Sequence, residues 1–229
     1  MWRKLFVVLL CGIAGWSAIA GPARAQPVDL LLILAVDASG SVDNDEWALQ
    51  MKGYEDAWRD PEVHRAIATA GRHRALAVTF VQWSGYGHQL QTIGWTRVAS
   101  AQDANAFADL IAGTGRQIWG GGTSLSGIID YAVPLFESSP FRGERKVLDI
   151  SGDGANRNSR PADQARDEAV AKDVTINGLP ILGSEAGLDR WYQANVVGGP
   201  GGFMVVAESF QSFGRAIRNK LIREIAALE

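Results

Sequence analysis

The run Val28–Val36 is apolar at every position except Asp29, so it has no polar face to offer to water. A strand with that pattern is buried on both sides, which happens where helices cover both faces of a mainly parallel sheet. The pattern recurs in Ala75–Trp83, Lys146–Ser151, Val174–Leu179 and Phe203–Ala207, while the more polar His88–Ile93 suits a sheet edge. Helical spacing separates these runs. Asp43 and Glu46 have the spacing of a capping box ahead of Trp47, Ala48, Met51, Tyr54 and Trp58. Asp103–Ala112 and Ala162–Ala171 read as helices, and Phe210–Leu228 as a closing amphipathic helix. Leu125, Ile128, Ile129, Ala132 and Leu135 mark a further helix, in which Pro134 predicts a kink or an early end. The expected fold is α/β: a doubly wound, mainly parallel central sheet of about six strands with helices on both faces, Rossmann-like in plan. Such sheets bind ligands at the carboxyl ends of their strands, where strand order switches.

Composition narrows the function classes. Hydrophobic residues make up 47% of the 229 positions and charged residues 21%, a balance that permits a full core. The formal net charge of −3 gives no electrostatic footprint for nucleic acid. Met1–Ala25 has the three parts of a secretory signal: Arg3 and Lys4, the apolar stretch Leu5–Ala20, and Ala23-Arg24-Ala25 before Gln26. Cleavage after Ala25 is expected, leaving a single domain over 26–229 in a periplasm or outside the cell. An uncleaved membrane anchor is disfavoured by Gly12, Gly15, Ser17, Gly21 and Pro22, and a lipid on Cys11 by the bulky Leu10 before it. Cys11 is the sole cysteine, so residues 26–229 hold no disulfide, thiolate metal site or cysteine nucleophile.

Three stretches with useful chemistry should meet at one sheet edge. The first strand runs into Asp37-Ala38-Ser39-Gly40-Ser41, delivering a carboxylate and two hydroxyls at spacing two. Gly120-Gly121-Gly122-Thr123-Ser124 opens a helix, the glycines leaving room for close backbone approach. Val147–Ser151 runs into Gly152-Asp153-Gly154. In these residues the chain resembles the von Willebrand factor type A domain. Its metal-ion-dependent adhesion site reads D-x-S-x-S, then a loop threonine, then an aspartate after a strand, and Asp37, Ser39, Ser41, Thr123 and Asp153 match in order. The resemblance covers roughly Val28 to Leu228. Ser151–Asn156 and Gly198–Gly201 also look like a group of bacterial exported proteins made of this domain alone.

The resemblance implies a magnesium or manganese ion held by those five residues, with Asp37 and Asp153 holding coordinated waters and orienting the serines. The chemistry agrees with it. Magnesium takes oxygen ligands and keeps several waters. Hydroxyls from Ser39, Ser41 and Thr123 add no charge, so the ion stays electrophilic and an open position attracts an external carboxylate. The first expectation is therefore a non-enzymatic, exported binding module for a protein or peptide that offers an Asp or Glu carboxylate. Taken singly, each of these residues is better explained as a turn or helix cap than as a ligand; taken together they favour the metal site. Two rivals follow: a magnesium-dependent phosphoester hydrolase working through Asp37 or Asp153, and a scaffold whose site is vestigial.

Other motifs fail on chemistry. Gly120–Ser124 lacks the lysine of a P-loop. Ser39 stands where a haloacid-dehalogenase-like phosphatase needs an acid, and no Gly-x-Ser-x-Gly elbow exists. His64 and His73, among Arg65, Arg72 and Arg74, read as a solvated loop, and His88 as a turn residue. Arg157 and Arg160 read as exposed loop charges, and Asp149 as a buried carboxylate with a structural partner. Most tryptophans should be core. Trp119 is the exception, because it adjoins the Thr123 loop and is placed to line a ligand surface.

Overall fold

The computed structural model describes residues 25–183 and 185–226. The expected signal segment falls almost entirely outside them. Among the described residues no helix is long and apolar enough to cross a membrane. Five strands form one sheet: β1 (Gln26–Asp37), β2 (Leu76–Trp83), β3 (Gln89–Val98), β4 (Phe141–Gly152) and β5 (Val174–Pro180), in the order β3-β2-β1-β4-β5. Only β3 runs antiparallel, and it lies at an edge. Seven α-helices are described: α1 (Asn44–Arg59), α2 (Pro61–Thr69), α3 (Ala101–Gly113), α4 (Leu125–Glu137), α5 (Ala162–Val170), α6 (Leu188–Asn195) and α7 (Phe213–Ala226).

β1 shows why the pattern works. Leu30, Leu32, Leu34 and Val36 enter one core with Tyr54, Trp58, Phe107 and Phe213, while Leu31, Ile33 and Ala35 enter the other with Ile128, Ala132 and Tyr192. Alternate side chains thus feed helices on opposite faces. Edge-on ring contacts tie the first layer together, Tyr54 lying 5.1 Å from Phe80 and 5.2 Å from Phe213. Asp29, the polar exception in the strand, is buried because it accepts bonds from the His73 and Ala75 amides at 2.8 and 3.1 Å. It clamps the turn that leads into β2.

Several expectations need correction. The sheet has five strands rather than six. Phe203–Ala207 does run beside β5, with bridges at Met204 and Ala207, but it makes no continuous ladder. Pro180 has no amide to donate there, and a proline interrupts strand pairing. Pro134 does not end its helix early: α4 continues to Glu137, the missing proline amide leaving the ladder short of one donor without stopping it. The stretch around His64 is helix, opened by Asp60 accepting from the Glu62 amide at 2.7 Å with Pro61 in the first turn. The closing segment is broken into a 3-10 turn, Phe210–Ser212, and α7.

Candidate metal centre

β1 lies between β2 and β4, and the connections from β1 and from β3 leave in opposite directions across the sheet. The switch in strand order therefore falls at the carboxyl ends of β1 and β4, where Asp37 and Asp153 emerge. Asp37 is fully buried. Its Oδ1 accepts the Ser39 amide at 2.7 Å and its Oδ2 the Asp153 amide at 3.4 Å, while the buried Gln50 amide donates to its carbonyl at 3.2 Å. The Ser39 and Ser41 hydroxyls stand 3.0 Å apart, and Ser41 Oγ donates to Asp153 Oδ1 at 2.7 Å. Four of the five residues singled out in the sequence thus form one hydrogen-bonded network. Thr123 is buried on the adjoining loop: its carbonyl accepts the Arg157 amide at 2.7 Å, and a Cβ added to Gly154 would sit 3.5 Å from its Oγ1.

The backbone around this network leaves little freedom. Gly152 cannot carry a side chain, since an added Cβ would lie 2.8 Å from Tyr192 Oη and 2.9 Å from Asp37 Oδ2. Gly120 and Gly121 hold left-handed φ angles of 70° and 81°, and the Gly121 carbonyl accepts the Gly40 amide at 3.4 Å. Ser124 caps α4 by accepting the Gly127 amide at 3.0 Å. The glycine-rich loop is thereby held against the loop that follows β1.

Electrostatics give the network its character. Burial, and after it the Asp153 charge, pushes the Asp37 carboxyl up to about 7 against the opposing bonds from Ser39. The same burial, followed by the charges of Asp37 and Asp153, pushes the Tyr192 phenol up. A positive ion between the two carboxylates would relieve this strain. The donors are hard oxygens, two of them anionic, which suits magnesium or manganese. Among the described residues no group of three or more His, Cys, Asp or Glu converges, so this is a hydroxyl-rich set and not a carboxylate cage.

Sequence reasoning missed several supports. Gln82, a lone amide in apolar β2, accepts the Gln117 amide at 2.7 Å and donates to the Gly115 carbonyl at 2.9 Å, fixing the approach to the glycine loop. Its isolation in an apolar run was the available signal. Arg116 donates to the Ala38 and Ser39 carbonyls at 3.1 and 2.9 Å. Asn156 accepts the Ser126 amide at 3.1 Å, and Glu185 accepts the Ala155 amide at 2.9 Å and pairs with Arg157 at 3.1 Å. Arg157 and Arg160 are not idle charges, since Arg160 pairs with Asp130 at 2.5 Å and Glu168 at 2.8 Å. His64 meets the Trp58 carbonyl and His73 approaches Glu144, both remote from the network, while His88 closes the β2–β3 turn.

The family model described as "Protein of unknown function (DUF1194)" matches residues 27–229. The chain belongs to the DUF1194 family. No curated protein matches it. Solved structures similar to this DUF1194 chain include proximal thread matrix protein 1 from the mussel byssus, described with a zinc-occupied MIDAS motif. It has a TM-score of 0.61 and 15% identity, over 88% of this chain and 46% of that one. A von Willebrand factor type A protein from Catenulispora acidiphila scores 0.59 at 17% identity, over 86% and 43% of the two chains. The pilus adhesin SpaC from Lactobacillus rhamnosus GG scores 0.57 in its open conformation at 14% identity, over 89% and 30%. The DUF1194 chain thus spans less than half the length of each of these. Its fold is that of the von Willebrand factor type A domain.

Proposed function

We propose that this chain is an exported, metal-dependent protein-binding module. Asp37, Ser39, Ser41, Thr123 and Asp153 hold a magnesium or manganese ion whose open position takes an Asp or Glu carboxylate from a partner protein. The observation that carries this reading is the network itself: the Ser41 hydroxyl donates to Asp153 at 2.7 Å and stands 3.0 Å from that of Ser39, whose amide donates to Asp37 at 2.7 Å, and burial with the Asp153 charge pushes the Asp37 carboxyl up to about 7. The likeness to a protein described with a zinc-occupied MIDAS motif, and to a pilus adhesin, is consistent with it. Export rests on the composition of Met1–Ala25.

Calorimetric titration of Mg²⁺ and Mn²⁺ into the purified chain tests the reading, with Asp153→Ala alongside. One binding site, lost in D153A and tightened by acetate, is the expected result. Equal heats in both proteins, or none in either, would leave the network as structural hydrogen bonding only.

A further inference from the structure

The two most exposed large apolar side chains among the described residues stand beside this network. Trp119 and Tyr86 are each 66% exposed. Trp119 leads directly into Gly120–Gly122, and Tyr86 lies in the β2–β3 turn that backs the same glycines. There the Ser124 amide donates to the Ser84 carbonyl at 2.9 Å, and a Cβ on Gly121 would come within 3.1 Å of Ser84 Oγ. Single exposed apolar residues are ordinary. Two aromatics on adjoining loops at a candidate binding edge are not, because exposed apolar surface gathered in one place marks a surface that a partner covers.

Trp119 is also held in place. The Arg116 guanidinium lies 4.8 Å from its ring centre and 5.5 Å from that of Trp47. The same guanidinium donates to the Ala38 and Ser39 carbonyls, within the Asp-x-Ser-x-Ser turn. Ring and turn are therefore braced by one cation, and a side chain ordered before binding loses little entropy when it is covered. The inner face of the indole is already engaged by positive charge. Its outer face suits carbon rather than a second cation.

We infer that Trp119 and Tyr86 form an aromatic platform beside the metal centre, and that it fits an extended segment of a partner protein in which an aromatic or branched aliphatic residue adjoins the acidic one. The partner's carboxylate meets the ion, its main chain passes over the side-chain-free glycines, and its neighbouring apolar side chain packs on the two rings. Arg116 and a divalent cation on one side of the platform match the negative charge of such a segment. This inference rests on the metal-dependent reading above.

The probes are three acetylated, amidated tripeptides, Gly-Asp-Gly, Gly-Asp-Phe and Gly-Asp-Lys, titrated in Mg²⁺ and in EDTA while the Gly121 and Gly122 backbone amide resonances, present in parent and variant alike, are followed. Gly-Asp-Phe is expected to bind about tenfold tighter than the other two. In Trp119→Ala, with the spectrum otherwise that of a folded chain, it should fall to the affinity of Gly-Asp-Gly. Three equal affinities in Mg²⁺, an advantage that survives Trp119→Ala, or no shift up to about 10 mM peptide would each overturn the platform. A phenylalanine advantage that persists unchanged in EDTA would keep the platform and overturn the metal-dependent reading instead.

Discussion

Asp37 carries the tension of the site in a single side chain. Its carboxyl is buried, faces a second carboxylate and is pushed up to about 7, so near neutrality it holds a proton that a cation would displace. Metal binding and proton release are then linked. The sign follows: below about 7 the proton competes, so Mg²⁺ affinity should rise with pH by up to about tenfold per unit and level off above it. Calorimetry at acidic and alkaline pH, in buffers of different ionisation enthalpy, should report release of about one proton in acid and almost none in alkali. A flat affinity would show that Asp37 is ionised before the ion arrives. That Asp37, Ser39, Ser41 and Asp153 would meet was legible because the apolar strands before Asp37 and Asp153 announced where each carboxylate would emerge. Arg116 was not, since a single arginine in a loop carries no periodicity to say which carbonyls it will reach.

At the scale of elements, α7 is joined to the sheet by buried charge. Lys220 lies 2.6 Å from both Asp149 of β4 and Glu224, all three with no exposed side-chain surface. Asn177 of β5 donates to Glu224 at 2.9 Å and accepts the Phe203 amide at 2.9 Å. Two acids share one base, and burial with the Glu224 charge pushes the Asp149 carboxyl up to about 7 against the pull of Lys220. An acid raised in the folded state favours folding only while protonated. The chain should therefore lose stability as pH climbs from about 4, the ordinary aspartate range, through about 7.

Thermal melts in chelator should show a shallower loss in Asp149→Asn than in the parent, where Asp37 adds to the same slope. Lys220→Met leaves two acids facing each other without compensation. It should cost about 3–5 kcal/mol near neutrality and recover on acidification. Equal melts of K220M and parent would show that the cluster is hydrated in solution. The sequence pointed to a partner for Asp149 but could not identify it, because a lysine in an amphipathic helix reads as surface. α6 escaped for a related reason. It starts at Gly187 in a left-handed conformation without a side-chain cap, so the usual opening signal is missing.

For the whole molecule, alternating apolar strands and amphipathic helices were enough to anticipate the layered architecture, the edge position of β3 and the sheet edge at which Asp37 and Asp153 meet. Strand number was harder. Phe203–Ala207 has the composition of a strand, but membership of a sheet depends on whether its neighbour can exchange hydrogen bonds, and Pro180 lies outside what hydrophobic pattern records. The central position of β1 has a consequence for the newborn chain. Asp37 and Asp153 are 116 positions apart, and β1 must pair with β4 as well as β2. The strand made first is thus enclosed late, and contacts of that separation form slowly. Until Gly152 has been made, one side of β1 has no partner and its uncovered backbone is a template for association. A ribosome stalled before β4 should release a fragment that aggregates, whereas one released after Glu229 should yield soluble protein, a difference that sedimentation of the translation products would measure.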